Sequence, residues 1–308
     1  MKFFEKEYLN GCQYILDYGH TVTNDRTGVG TKMVTNLTIE HGDVERVFPL
    51  PVTKKLATKS MIGELLWFLE GSTSDRRLAE ITYGDGGHKT IWTANFESVF
   101  IDNGTSQADW NSVKRPLGPI YGWQWRRGFN SDQIKDVIQR IKDKPYDRRH
   151  VVTAWNPAEI DEMALPPCHM IFQFNVIGKQ IDLLMMQRSG DMFLGVPFNM
   201  ASYALLLKIV AKETGYQAGK VTISIGNAHI YLNHVDQVQQ QISRMKSKEY
   251  KTAYYNYLWG EQLKLSPQIE ISKDSNLFGN SGNIGYTMKD FTVTNYNPLP
   301  TIKGDMAV

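Results

Sequence analysis

Apolar residues recur at helical spacing along residues 4–18 (FEKEYLNGCQYILDY), which predicts an N-terminal helix. A glycine-punctuated turn comes next, Asp25-Arg26-Thr27-Gly28-Val29-Gly30-Thr31. Residues 32–40 (KMVTNLTIE) then alternate and are rich in β-branched side chains, which predicts a strand. Residues 56–69 (LATKSMIGELLWFL) read as a buried amphipathic helix, and 131–142 as another helix. Three strands are predicted at 150–155 (HVVTAW), 169–177 (HMIFQFNVI) and 180–187 (QIDLLMMQ), with Gly178-Lys179 as a hairpin turn between the last two. Residues 199–214 (NMASYALLLKIVAKET) are apolar on most faces, so this helix is expected to be central. Residues 220–225 (KVTISI) alternate as a strand, 232–246 read as a helix, and 267–272 and 287–294 as late strands. Two polar, turn-rich stretches, 84–90 (GDGGHKT) and 101–115 (IDNGTSQADWNSVKR), read as surface insertions. No repeat, low-complexity tract or linker interrupts the pattern. Residues 1–308 are therefore expected to form a single domain of mixed α/β (α+β) class.

Charge narrows the choice of partners. Lys plus Arg number 34 and Asp plus Glu 32, so the net charge is 34 − 32 = +2. A dedicated nucleic-acid binder shows a strongly basic domain, which this near-balance removes. A local basic pocket for a small phosphorylated ligand remains open. Two cysteines, Cys12 and Cys168, are too few for a disulfide-stapled fold and fit a reducing compartment. Charge interrupts Met1–Tyr8 (MKFFEKEY), so no signal peptide is expected, and the apolar stretches fall short of a membrane span. The expected location is the cytoplasm.

Five constellations carry candidate chemistry. In Leu165-Pro166-Pro167-Cys168-His169 the prolines mark a strand entrance and hold the next residues rigidly. A thiol there is either aimed into a cavity as a nucleophile or is a small buried hydrophobe. The run Gln187-Arg188-Ser189-Gly190-Asp191 puts an Arg and a hydroxyl at a strand end, a fit for phosphate. Asn199 opens the hydrophobic helix, where its amide either reads an imide edge as donor and acceptor or caps the helix. Arg148-Arg149, just before a strand, either clamp a dianion or form a solvated charge cluster. His229 and Tyr231 are two apart and point the same way in extended backbone, as a sugar hydroxyl would require. Glu64 sits among apolar neighbours, so desolvation suits it to acid/base work. No metal is expected, because His229 and His234 lack a carboxylate or cysteine to complete a ligand set. No Walker loop or GxGxxG fingerprint occurs.

Together and in this order, these stretches resemble the folate-dependent thymidylate synthase family. The matching segments are DRTGVGT (25–31), FPLPVTKK (48–55), ELLWFLEGST (64–73), IW (91–92), LGPIYGWQWR (117–126), RRHVVTAWNP (148–157), ALPPCHMIFQF (164–174), QRSGDMFLGVPFNMASYALL (187–206), HIYLNH (229–234) and IKGDMAV (302–308). The resemblance implies the thymidylate synthase fold, a large twisted mixed sheet with flanking helices, in a homodimer packed sheet against sheet. It implies dUMP and 5,10-methylenetetrahydrofolate as substrates, the latter as co-substrate, with dTMP and dihydrofolate as products. By the same resemblance, Cys168 is the nucleophile that adds to uracil carbon 6, Glu64 the acid/base carboxylate acting through ordered water, and Tyr121 a member of the water network that removes the carbon-5 proton. His169 and Asn199 complete the catalytic set. Arg26, Gln187, Arg188, Ser189 and Asp191 join the nucleotide site, with Arg148 and Arg149 reaching in from the partner subunit. Asn199 reads the pyrimidine edge, and His229 with Tyr231 holds the deoxyribose hydroxyl. Ile91, Trp92, Leu165, Leu194, Gly195 and Phe198 wall the folate, Asp191 bonds the pterin, and the tail at Met306-Ala307-Val308 closes over the complex.

The chain departs from common family forms at Pro51-Val52, Thr93, Trp123, Val196 and Asn227. Thr93, Trp123 and Val196 are read as neighbours of the folate or the active-site water, which defines a rival. In pyrimidine hydroxymethylases of the kind used by phages with modified DNA, water rather than hydride captures the exocyclic methylene. Asn199 favours uracil over cytosine, so that rival would be a dUMP hydroxymethylase. A rival from another class is a non-catalytic nucleotide- or RNA-binding regulator, against which the joint presence of Cys168, Glu64, Tyr121 and Asn199 counts.

Overall fold

The computed structural model describes residues 2–23, 28–102, 116–259, 266–279 and 284–306. Helix α1 (Phe4–Tyr18) occupies the predicted span. Phe4, Tyr8, Leu9, Cys12 and Ile15 form its buried stripe, and it packs on strand β2 (Thr31–His41), which pairs with β1 (His20–Val22). The stripe also carries Glu5, which is buried and accepts hydrogen bonds from the Val52 and Thr53 N–H groups and the Thr53 hydroxyl. Burial pushes the Glu5 carboxyl up to about 7 despite those three donors.

The main sheet has six strands in the order β1-β2-β6-β5-β4-β3, where β3 is Val151–Thr153, β4 His169–Ile177, β5 Gln180–Asp191 and β6 Gln217–Tyr231. Every pairing is antiparallel except β5 with β6. Gly178 turns the β4–β5 hairpin at φ +61°, with Ile177 opposite Gln180, as the sequence predicts. A parallel pair needs a crossover, and helix α7 (Gly195–Thr214) supplies it. Strands β5 and β6 support α7 from one side and helices α2 (Thr58–Glu70) and α6 (Gln133–Asp143) from the other, which is why it is apolar nearly all round. Each fully buried leucine of its Leu205-Leu206-Leu207 run contributes roughly 1.5–3 kcal/mol.

The remaining α-helices among the described residues are α3 (Asp75–Tyr83), α4 (Thr93–Asp102), α5 (Tyr121–Arg126), α8 (Val235–Ser243) and α9 (Lys248–Trp259). Strands β7 (Gln268–Ile271) and β8 (Phe291–Thr294) form a separate antiparallel pair at the two late predicted positions. One hydrophobic cluster runs from Phe3 to Ile302. No helix among the described residues is long and apolar enough to cross a membrane.

Several boundaries differ from the sequence pattern. Strand β5 runs four residues past Gln187 to Asp191, and β6 begins before and ends well after the predicted 220–225. Both polar extensions remain strand because they pair with each other, Ser189 opposite Asn227 and Asp191 opposite His229. Helix α7 starts at Gly195 rather than at Asn199. Pro197 fits its first turn, where no intrahelical N–H is needed. Asn199 therefore lies one turn inside the helix and does not cap it, which removes the capping alternative. Instead, Asp191 Oδ1 accepts from the Phe193 and Leu194 N–H groups at 2.9 and 3.3 Å just ahead of the helix. Strand β1 and helices α3, α4, α5 and α9 go beyond the elements the pattern predicts; α3, for one, is short and largely polar. Its start is marked by Ser74, whose hydroxyl accepts from Arg77 N–H. The 84–90 stretch is a mostly exposed turn. Residues 101–102 close α4, and the rest of the predicted 101–115 insertion lies outside the described residues.

Helix α5 sits directly on α2 at Gly122, where an added Cβ would fall 2.3 Å from the Phe68 carbonyl oxygen. Backbone cannot yield as a side chain can, so Gly122→Ala must push the two helices apart. Overpacking of this kind costs about 1–3 kcal/mol. A lowered melting midpoint by circular dichroism is expected for Gly122→Ala; an unchanged midpoint would show that the contact gives way freely.

Candidate active site

A cleft of about 700 Å³ opens where the ends of β5 and β6 meet the start of α7, with α2 and α5 on its far side. Cys168 lies on its wall, immediately before β4, and its backbone is gripped from two directions. Its N–H donates to the Tyr121 hydroxyl at 2.8 Å, and its carbonyl accepts from Arg188 N–H at 2.9 Å. The Arg188 guanidinium donates to the Pro166 and Pro167 carbonyls at 2.7 and 3.1 Å. The prolines hold the approach and Arg188 holds the prolines, so the half-buried thiol is presented by a rigid frame beside a fixed positive charge. Cys12 contrasts with it. Burial in α1 pushes that thiol up to about 12, where it is inert packing, as the sequence suggests.

Glu64 projects from α2 into the same cleft and is nonetheless buried. Burial raises its carboxyl to about 7, opposed by the Trp92 indole N–H, which donates to Oε1 at 2.8 Å. A carboxyl poised near neutrality can both give and take a proton. His169 shows the reverse sign: burial lowers it to about 4, opposed by the hydrogen bond that its ring makes to Asn199, so at neutral pH the imidazole is uncharged. Its ring lies edge-on to Tyr121 and Tyr203, with centroids 5.3 Å away in each case. Burial, with the nearby Cys168 and other groups, raises Tyr121 well above its ordinary range, and its ring stacks on Phe68 at 4.9 Å.

Asn227, His229 and Tyr231 alternate along one face of β6 and all line the cleft. His229 Nδ1 and Asn227 Oδ1 are 3.1 Å apart, and the His229 and Tyr231 rings stand perpendicular at 5.0 Å. Arg188, Ser189 and Asp191 line it from β5, and Asn199 from α7. Ile91, Trp92, Leu165, Leu194, Gly195 and Phe198 form the apolar side together with Met306.

Not every expected residue is in the cleft. Gln187 is buried behind it, and its side-chain amide donates to the Ser189 carbonyl at 2.9 Å, so it supports the strand rather than facing the cavity. Arg148 and Arg149 are exposed and do not line this chain's cleft; Arg149 lies 4.0 Å from Asp147. Arg26 and Ala307 lie outside the described residues. The expectation for Thr93, Trp123 and Val196 is corrected. Thr93 bonds Asp75 at 2.8 Å and, with Trp123, lines a separate cleft of about 800 Å³, while Val196 is fully buried in the core. Of the departures from the family pattern, only Asn227 reaches the candidate site.

Sequence reasoning missed Lys54 and Tyr203. Lys54 is buried beside the site, donates to the Phe193 carbonyl and lies 3.8 Å from the centre of the Phe193 ring. Burial lowers it to about 8, opposed by the charge of Asp191. Its signal was a lysine enclosed by the apolar stretch FPLPVTKKL.

The family model described as thymidylate synthase matches residues 6–308. The chain is similar to the thymidylate synthase of Enterobacteria phage T4, 43% identical over 315 residues, covering 98% of this chain and 100% of that one. It is 41% identical over 309 residues to the thymidylate synthase of Coxiella burnetii (strain RSA 493 / Nine Mile phase I), with the same coverage. To that of Mycoplasma pneumoniae it is 37% identical over 313 residues, again covering 98% and 100%.

The Glu64 environment can be checked without any ligand. Its carboxyl band in isotope-edited infrared spectra should titrate near pH 7. Trp92→Phe removes the donor that favours the charged form, so the midpoint should move upward. A midpoint that stays in place would show that the indole bond does not govern Glu64.

Proposed function

This chain belongs to the thymidylate synthase family, and we propose that it converts dUMP to dTMP with 5,10-methylenetetrahydrofolate as the donor of both the one-carbon unit and the hydride. The observation that carries this reading is the meeting of a rigidly presented thiol, Cys168, with Glu64, Tyr121, Asn199 and Arg188 in one cleft.

Carbon 5 of uracil is a poor nucleophile. Cys168 Sγ, as thiolate, adds to carbon 6, and the electron pair of the 5,6 double bond moves on to the carbon-5/oxygen-4 enolate. Covalent addition thus splits one hard step into easier ones. The activated carbon 5 takes the one-carbon unit and then loses its proton. Elimination of tetrahydrofolate gives the exocyclic methylene, which hydride from the same folate reduces as the thiolate leaves. Glu64, near its midpoint at neutral pH, exchanges the protons these steps require. Neutral His169 and Asn199, bonded to one another, offer dipoles rather than charge beside the pyrimidine edge.

Arg188 and Ser189 suit the phosphate dianion, with Arg26 and, from a partner subunit, Arg148 and Arg149. The exposure of that pair on its own chain is consistent with such donation. A sheet-to-sheet homodimer draws support from Met186, which is 44% exposed although it lies on an interior strand. His229 and Tyr231 hold the sugar hydroxyl. Trp92, Leu194 and Phe198 give the folate ring an apolar wall, Asp191 a polar contact, and the tail at Ala307 closes the site and excludes water. The continuity of the hydrophobic cluster supports residues 1–308 acting as one domain, and two free thiols support a reducing cytoplasm.

The hydroxymethylase alternative is not favoured. The relatives carry the synthase name, and Thr93, Trp123 and Val196 do not line the cleft.

Incubation with dUMP and methylenetetrahydrofolate should give dTMP by mass together with dihydrofolate; 5-hydroxymethyl-dUMP with tetrahydrofolate would overturn the reading. Cys168→Ser should lower turnover by about 10³-fold or more and leave dUMP binding largely intact. For the shared site, subunits carrying Cys168→Ser and Arg149→Glu should each be inactive alone. Mixed in equal amounts, random exchange should restore about a quarter of the wild-type sites, since half the dimers then contain one intact site. No recovery on mixing, with exchange confirmed by mass, would exclude donation of Arg149 across the interface.

A further inference from the structure

Tyr203 lies four residues after Asn199 on α7, so the two side chains share a helix face. It is 2% exposed, and three edge-on neighbours fix its ring: His169 at 5.3 Å, Phe172 at 5.5 Å and Trp125 at 6.4 Å. Its hydroxyl has no hydrogen-bond partner among the described residues. It is near enough to Glu64 and Tyr121 for their charges to bear on one another.

It is not alone in this. His169 Nδ1 is also buried without a partner, so the bond with Asn199 uses the other ring nitrogen. Trp67 Nε1, one turn along α2 from Glu64, and Thr82 Oγ1, packed against Gly63, are in the same condition. Buried polar groups are almost always paired, and a cluster of unpaired ones marks a place where bound water completes the bonding. Here the unpaired groups come from α2, α3, β4 and α7, and Tyr203 is tied to the Glu64 side of the cleft through the ring contacts of His169 with Tyr203 and Tyr121 and through its electrostatic interaction with Glu64.

We propose that Tyr203 is a positioning residue whose hydroxyl holds a buried water against the Glu64 carboxyl. The hydroxyl bonds to the water and the water donates to the carboxylate, so no proton is stored on Tyr203. A purely structural tyrosine would need only its ring. The titratable groups facing this position are Glu64 from α2, Tyr121 from α5, Cys168 and His169 at β4, and Tyr203 itself. The effect on rate rests on the synthase reading; the water bridge does not.

Tyr203→Phe keeps the ring and its edge-on contacts and removes only the hydroxyl. With the donor chain lost, the charged form of Glu64 is less favoured, so the Glu64 infrared midpoint should move upward by at least about half a unit. In the same variant kcat for dTMP formation should fall at least about tenfold, with the Kd for dUMP within about twofold of wild type. If the wild type makes no dTMP but the midpoint still moves, the function reading falls and the water bridge stands. If the midpoint stays in place, the proposal is overturned, whatever happens to kcat. Should Tyr203→Phe fail to fold, a high-resolution crystal structure of the wild type decides: ordered water within hydrogen-bond distance of both Tyr203 Oη and Glu64 supports the proposal, and none overturns it.

Discussion

The parallel pairing of β5 with β6 is the constraint on which the candidate site depends. Arg188, Ser189 and Asp191 are about forty residues from Asn227, His229 and Tyr231, yet the ladder sets Ser189 opposite Asn227 and Asp191 opposite His229. Because strand side chains alternate, a slip of one residue would turn the whole β6 set to the other face. The crossover that permits a parallel pair is α7, and its second turn carries Asn199 over the same strand ends. One topological requirement thus brings three separate polar sets to one opening. The burial of α7 between sheet and helices then makes the register costly to lose.

Burial shapes the chemistry of the cleft, but burial alone does not mark a site. Glu5 and Glu64 are both held near 7 by desolvation. Glu5 commits its oxygens to three donors from Val52 and Thr53 and is fully buried. Glu64 has, among the described residues, the one Trp92 bond and lines a cavity shared with a presented thiol. The distinction lies in free bonding capacity, since the same shift tied up in local hydrogen bonds is structural. The histidines divide in the same way. His41 and His169 are both lowered to about 4, but His41 is closed off by Phe4 N–H and the Val47 carbonyl, whereas the ring of His169 lies on the cleft wall.

How much of this is legible in the sequence depends on the range of the forces involved. Helix α1, strand β4 and the Gly178 hairpin are set by periodicity and turn chemistry within a few residues, and all stand where the pattern puts them. The polar ends of β5 and β6 are not legible as strand, because their pairing is with each other and not with any local preference. Asn199 reads as a helix start for a related reason: Pro197 looks like a break until it is seen in a first turn. The cleft residues come mainly from motif resemblance. Lys54 and Tyr203 escape because a lysine in an apolar run and a tyrosine in an apolar helix both look like ordinary residues until their polar atoms are traced. The misplacement of Thr93 and Trp123 shows the limit of adjacency, since each is next in sequence or nearly so to a cleft residue yet faces another cavity.

The cleft also divides its labour between rigid and less regular backbone. The charged and hydrogen-bonding groups, Arg188, Ser189, Asp191, His229 and Tyr231, all stand on sheet strands, and Asn199 on the helix clamped to them. Much of the apolar wall, Ile91, Trp92, Leu165 and Met306, stands on loops or the terminal segment. Directional bonds lose most of their strength with small displacements, whereas apolar contact is tolerant of them. On the mechanism proposed above, covalent addition by Cys168 would need the pyrimidine held within a few tenths of an ångström, which suits a frame on the sheet, tied through Arg188 to the two prolines. A flat ring system stacked on the apolar wall needs area rather than direction, and a loop wall can meet it by adjustment. The loop wall is thus the side able to shed water from the reaction while the sheet side keeps its geometry.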